Sequence, residues 1–183
     1  MTQCFLEVDD LIEQEETSSG TTAAVCWISA AEENNVKRLQ LCCGNVGDSR
    51  VIICRENGPV RISCEHNAGT NLEECKRIRS SGGFVFGGRV YGICAVTRAL
   101  GDHQYKECII GYPHIYECEL TPQDKWIIIA SDGLWSVVED EAAHERIMQQ
   151  ESAQKAAEAL GMLAFQCCSI DNVGIVVLKL DWK

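Results

Sequence analysis

The sequence is poor in basic charge. Sixteen Lys and Arg stand against 27 Asp and Glu, a formal net charge of −11. That balance argues against nucleic acid or an anionic membrane as a partner. No apolar run approaches membrane-spanning length. Residues 1–16 are acidic and only sparsely apolar, so they do not read as a signal peptide. Twelve cysteines are present, yet no C-x-x-C pair occurs, which removes the common zinc frameworks. Cys42-Cys43 and Cys167-Cys168 are adjacent, and others fall inside apolar runs. They read mostly as small buried residues in a reducing compartment, cytoplasm or nucleus, and not as a disulfide framework. There is no Walker motif, no G-x-G-x-x-G and no G-x-S-x-G elbow. No repeat, low-complexity tract or interdomain linker is visible.

What is there suits one domain spanning residues 1–183, with 46% apolar content. Phe5, Val8, Leu11 and Ile12 have helical spacing within residues 1–15. Strands are predicted over 21–28, 38–45, 50–55 and 60–63, the second and third as a pair, with a polar turn at 31–35. A helix over 71–79 places Leu72, Cys75 and Ile78 on one side and ends at Gly82-Gly83. Residues 84–86 and 89–91 flank Gly87-Gly88 as a tight hairpin. Residues 96–100 read as a helical turn and 103–113 as a loop. Strands follow at 115–119 and 126–130, helices at 139–149 and 153–165, a turn at 169–172 and a closing buried strand at 173–180. Hairpins without βαβ alternation predict a mixed α+β domain with antiparallel sheets.

Three acids stand at the mouths of apolar runs. Asp48 lies between 39–43 and 51–54, Asp132 follows 126–130, and Asp171 precedes 173–180. A carboxylate in such a place needs a partner, and either Arg50 or a metal ion suits Asp48. Hard cations such as Mg²⁺ and Mn²⁺ take carboxylate oxygens. The competing reading of each acid is a turn aspartate bonded to its own backbone. Arg89, beside the glycine pair, can hold a phosphate bidentately or be a solvated edge residue. Arg98 and Asp102 read as an internal pair. His66, His103, His114 and His144 share no ligand spacing and read as surface or loop residues.

Taken together, several runs resemble one family. They are Gly20-Thr21-Thr22-Ala23, Asn45-Val46-Gly47-Asp48-Ser49-Arg50, residues 73–78 with Gly82-Gly83, residues 96–102, Ile129-Ala130-Ser131-Asp132-Gly133-Leu134-Trp135 and Ser169-Ile170-Asp171-Asn172. Their order and spacing are similar to the metal-dependent serine/threonine protein phosphatases, the PPM or type 2C family. The resemblance implies an αββα sandwich of two antiparallel sheets flanked by helices. It implies hydrolysis of phosphoserine and phosphothreonine proteins by a water bridging two Mn²⁺ or Mg²⁺ ions. It places Asp132 and Asp171 at the metal centre, Asp48 at a further weaker ion, Arg89 on substrate phosphate and Thr22 near the site.

Three departures accompany it. The 183 residues hold no Asp-Gly-His-Gly-Gly run, whose aspartate bridges the metals in the family. The sequence therefore reads as the C-terminal two-thirds of the family fold, N-terminally incomplete. Ser136 stands where an acid is usual, and Glu65-His66-Asn67 where Asp-His-Lys is usual. The expectation is a lost or weakened dinuclear centre, because crowded like charges repel without their bridging ligand. Exposed sheet edges further predict a homodimer or a complementing partner chain. The alternative is an inactive pseudophosphatase that acts as a binding or regulatory module.

Overall fold

A computed structural model describes residues 1–15, 17–33 and 36–182, with 31–33 and 36–37 as backbone only. In chain order the elements are α1 (Thr2–Gln14), β1 (Gly20–Thr21), β2 (Ala23–Glu33), β3 (Val36–Val46), β4 (Arg50–Arg55), β5 (Gly58–Arg61), α2 (Leu72–Ser80), β6 (Val85–Phe86), β7 (Arg89–Val90), β8 (Leu100–Gly101), β9 (His114–Leu120), β10 (Asp124–Ala130), α3 (Asp132–Trp135), α4 (Asp140–Met148), α5 (Ala153–Gln166) and β11 (Ile175–Lys179). A 3-10 turn spans His103–Tyr105. The fold is mixed α+β with antiparallel sheets and helices, as the sequence predicts. Among the described residues no helix is long and apolar enough to cross a membrane.

The chain forms two compact units. One comprises Met1–Val25, Cys43–Asp48 and Cys64–Tyr116; the other comprises Cys26–Cys42, Ser49–Ser63 and Glu117–Lys183. Strands β2, β3 and β9 form one sheet in the order β2-β3-β9. The expected turn at 31–35 is corrected over 31–33, where β2 continues; Asn34 and Asn35 lie outside the described residues. The expected pairing of 38–45 with 50–55 is also corrected. β3 and β4 belong to different sheets, because the Gly47 bend (φ 87°) turns the chain between them instead of closing a hairpin.

In the second unit the sheet order is β11-β10-β4-β5. Trp126, Ile128 and Ala130 on β10 share a face with Ile52 and Cys54 on β4. That face is covered by α3, α4 and α5 through Leu134, Ala143, Ile147, Ala156, Leu160 and Ala164. The alanines let α5 approach closely, and each buried Ile or Leu contributes about 1.5–3 kcal/mol. Asp140, at the start of α4, binds Arg50 Nη1 at 2.7 Å and Arg61 Nε at 2.8 Å, so the helix end is tied to β4 and β5. The closing strand is not buried as predicted. β11 is a sheet edge, and only Ile175 and Val177 reach the core while Val176 and Leu178 stay exposed.

In the first unit, α1 buries Phe5 and Asp9, with Met1 and Ile12 on the same packing face. Val8 and Leu11, expected in that stripe, are exposed. Asp9 takes their place because its Oδ1 accepts the Gly101 N–H at 2.7 Å and Lys106 Nζ at 2.9 Å. Helix α2 is capped by Asn71, whose Oδ1 accepts the Glu73 and Glu74 N–H groups. Its buried side is Glu74, Cys75 and Ile78; Leu72 is 75% exposed. The β6–β7 hairpin forms as predicted, with positive φ at Gly87 and Gly88. Residues 96–100 form no helical turn. Isolated bridges Asn67–Val96 and Arg98–Ile110 hold this stretch extended, leading into β8.

Arg98 does not pair with Asp102. Its Nη2 reaches Glu74 Oε1 at 2.7 Å, its Nε reaches Glu74 Oε2 at 3.1 Å, and its Nη1 donates to the Tyr112 carbonyl. Arg77 Nη2 and Thr97 Oγ1, both at 2.9 Å, complete the shell of Glu74. A buried carboxylate with a guanidinium on each side outcompetes a half-buried one, which explains the changed partner. Asp102 itself adopts φ 52° and rests on Gly20, where burial raises its pKa.

The cysteines are less buried than expected: four are buried, and Cys4, Cys167 and Cys168 are exposed. Helix α5 ends in a Schellman turn. The Ser169 N–H donates to Ala164 O and the Cys168 N–H to Phe165 O, both at 3.0 Å, with Cys168 at φ 60°. Glycine is the residue that adopts this conformation without steric penalty. Cys168→Gly is therefore expected to stabilise the chain by about 1 kcal/mol. A urea midpoint that falls in this variant would contradict the strain.

Candidate functional site

Asp132 is the first residue of α3, set there by the end of the apolar β10 run. Ser131 caps the turn in extended conformation, and Trp135 Nε1 returns to the Ala130 carbonyl at 3.0 Å. The 169–174 loop closes against this turn. Ser169 Oγ donates to Gly133 O at 2.6 Å, and Ser131 Oγ accepts the Gly174 N–H at 3.0 Å. The Ser131 N–H donates to Gly174 O, also at 3.0 Å. A Cβ at position 133 would overlap the Asn172 carbonyl, so the two backbones meet only because residue 133 is glycine. The structure thus brings Asp132 and Asp171 onto two loops tied side by side. Asp171 is exposed, and its Oδ1 accepts the N–H of Asn172 at 2.7 Å. Ser136 caps the end of α3 and adds no carboxylate.

The first unit carries the other candidates. Thr22 lies between β1 and β2, and its methyl group fills the space where Gly47 would carry a Cβ. Thr22 and the Gly47-Asp48 turn are therefore neighbours. Asn45, fully buried, clamps the following segment: its Nδ2 donates to Cys64 O at 2.7 Å and its Oδ1 accepts the Cys64 N–H at 3.0 Å. The His66 N–H then donates to Gly47 O at 3.0 Å. These bonds lead Asn67 to Asp48, whose Oδ2 accepts from Asn67 Nδ2 at 3.4 Å. Asn67 was visible in the sequence only as a departure from the family pattern, not as a partner of Asp48. Arg89 stands on a different element, the exposed side of β7, with Nη1 donating to Ile93 O at 2.8 Å.

The histidines need a correction. His66 is 0% exposed, and neither ring nitrogen has a hydrogen-bond partner. Burial, helped by the nearby Arg98 charge, pushes its pKa down to about 4. It sits inside because its backbone is fixed on both sides, N–H to Gly47 O and carbonyl to the Thr97 N–H. His114 is half-buried, and burial lowers its pKa too.

Among the described residues, no group of three or more His, Cys, Asp and Glu side chains is gathered to hold a metal ion. The second unit offers the Asp132 and Asp171 carboxylates. Two carboxylates suit one hydrated divalent ion, but a dinuclear centre asks for about four or five. The residues described do not fit the two-ion group.

The family model for protein phosphatase 2C matches residues 1–173. Protein phosphatase 2C homolog 1 of Saccharomyces cerevisiae is 34% identical over 186 residues, covering 96% of this chain and 66% of the yeast protein. The human integrin-linked kinase-associated serine/threonine phosphatase 2C is 33% identical over 203 residues, covering 97% of this chain and 52% of its own length. The chain thus spans between about half and two thirds of these relatives. Among solved structures, a C.elegans sex determining protein aligns with TM-score 0.77 at 22% identity, covering 94% of this chain and 43% of that one. The serine-threonine phosphatase 2C from Toxoplasma gondii aligns with TM-score 0.69 at 21% identity, covering 96% and 63%. At these identities the structural matches speak for the fold alone.

Proposed function

The chain belongs to the protein phosphatase 2C family, and from that premise we propose that it carries part of a phosphoserine and phosphothreonine phosphatase site whose turnover is impaired in these residues alone. In this reading Asp132 and Asp171 hold a single Mn²⁺ or Mg²⁺ ion, weakly, and Asp48 stands by a further one. Arg89 receives the substrate phosphate, and Thr22 supports the turn that carries Asp48. The observation that carries the proposal is the tied pair of loops under Asp132 and Asp171, with no third ligand gathered there among the described residues.

A second reading, a binding module without turnover, is favoured by β11. Its outer edge has no strand beside it among the described residues, and Val176 and Leu178 are exposed on it. Such an edge suits a second copy or a complementing chain.

One experiment separates the readings. Mn²⁺ is titrated calorimetrically into the chain and into Asp132→Asn across a range of protein concentrations, with a phosphothreonine peptide assayed in the same samples. The expected result is at most one weak ion per chain, lost in the variant, with no appreciable hydrolysis. Two tightly bound ions with hydrolysis at low concentration would overturn the proposed impairment. Ion affinity that rises with concentration would point to site completion by a second copy.

A further inference from the structure

β10 lies along one edge of β11, and among the described residues no strand lies along the other. Two bonds just beyond the ends of β11 fix which of its backbone groups face outward. The Leu180 N–H donates to Lys125 O at 2.8 Å, and the Ser131 N–H donates to Gly174 O at 3.0 Å. Both continue the β10–β11 register, in which Trp126 stands opposite Lys179 and Ala130 opposite Ile175. Hydrogen-bonded positions alternate along an antiparallel ladder. Residues 174, 176, 178 and 180 therefore turn their backbone polar groups to β10, while Ile175, Val177 and Lys179 turn theirs outward.

The usual guards of an open edge are lacking in β11. The strand contains no proline, and its register with β10 runs without a bulge. Its one charged residue, Lys179, is drawn onto the sheet: Nζ donates to Glu151 O at 2.8 Å and lies 5.2 Å from the centre of the Trp126 ring. Ile175 and Val177 pack toward the helices, so alternation puts Val176 and Leu178 on the opposite face, 61% and 42% exposed.

We propose that this edge pairs with β11 of a second copy, antiparallel, about a two-fold axis at Val177. The edge is its own complement in that register. Its outward groups are symmetric about Val177, so Val177 meets Val177 of the second copy and Ile175 meets Lys179, each pair exchanging two hydrogen bonds. Between these pairs, Val176 and Leu178 fall opposite each other in the close, non-hydrogen-bonded places of the ladder. An unrelated strand would have to match both this phase and this apolar alternation, whereas a second copy does so by symmetry. A five-residue strand offers less contact than the about 1,200–2,000 Å² of a stable interface, and the net charge of −11 on each copy opposes approach. The pair is therefore weak, with a dissociation constant on the order of 0.1 mM, and tightens as salt rises. The pairing rests on the binding-module reading of β11 and is independent of catalysis.

The test follows amide hydrogen exchange and sedimentation of the intact chain from about 10 µM to about 1 mM. At a constant of ~0.1 mM, mass action leaves about one fifth of the chains single at the upper end, so exchange at Ile175, Val177 and Lys179 should slow about fourfold. Val176 and Leu178, already bonded to β10, should change less. Val176→Lys and Leu178→Glu, both at exposed positions and folded by circular dichroism, should each stay monomeric alone. Mixed, they should associate, because the register sets the introduced lysine against the introduced glutamate. Slowing at Val176 and Leu178 without slowing at Val177, or a mixture of the two variants that stays monomeric, would overturn the register. A parent chain that stays monomeric at about 1 mM would overturn the self-pairing, and protection of the same amides by a different chain would then leave the binding-module reading standing.

Discussion

Replacing Glu74 with alanine is expected to lower stability by about 3–5 kcal/mol, the usual effect of removing one partner from a buried charge network. Glu74 is 4% exposed and is held by Arg98, Arg77 and Thr97. Burial pushes its pKa up, but the hydrogen bonds and charges of the two arginines outweigh this and hold it at about 2. Alanine would leave both guanidinium groups without that counter-charge. It would also unfasten α2 from the 97–98 stretch that leads to β8. Glu74→Gln should lose less, because its amide still accepts from Arg98. Near-UV circular dichroism during urea unfolding is a suitable probe, since all four tyrosines (Tyr91, Tyr105, Tyr112 and Tyr116) lie in the unit that contains Glu74. A loss below about 1 kcal/mol would show that water replaces the carboxylate at little cost.

Acid should weaken the fold in two stages. His66 has a folded pKa of about 4 against 6.5 for the free side chain. Between those values the unfolded chain binds a proton that the folded chain refuses, so the contribution is complete above pH 6.5 and is lost as pH falls toward 4. The slope reaches about 1.4 kcal/mol per pH unit for one proton. Glu74, at about 2 against 4.5, then contributes a second loss as pH falls from 4.5 toward 2. The groups facing His66 do not reverse the sign. Arg98 stays charged throughout, His114 is itself pushed down by burial, and Glu74 keeps its charge through the upper window. His66→Leu fills a similar space without ring nitrogens, and should flatten stability between pH 6.5 and 4 while leaving neutral-pH stability nearly intact. An unchanged slope in that variant would assign the acid effect elsewhere.

Most of the helices, the β6–β7 hairpin and the apolar run of β10 could be read from the sequence, because each rests on local periodicity or a glycine pair. What could not be read were choices between partners. Arg98 has Asp102 close in sequence, yet it binds Glu74, more than twenty residues earlier and better buried. Helix α1 follows the predicted period with a different face, because Asp9 finds the Gly101 N–H and Lys106. Leu72 sits at a helix N-terminus with nothing over it. Of the candidate site, the sequence placed Asp132 and Asp171 at strand mouths. It did not show that Ser131 and Ser169 tie their loops together, since a serine carries no mark of the carbonyl it will meet. Nor did it show the burial of His66, which follows from backbone bonds on either side and not from the imidazole itself.

Gly133 bears on how such a sequence drifts. Any side chain there would strike the Asn172 carbonyl, whatever the neighbouring carboxylates do. Loop closure alone would therefore remove descendants that lose this glycine, even in a lineage that hydrolyses nothing. Persistence of the Asp132-Gly133 pair across descendants would record a steric debt between two backbones. It would be no witness to activity, whereas an exposed side chain such as Asp171, whose Oδ1 accepts the Asn172 N–H, meets no such steric demand and is freer to change.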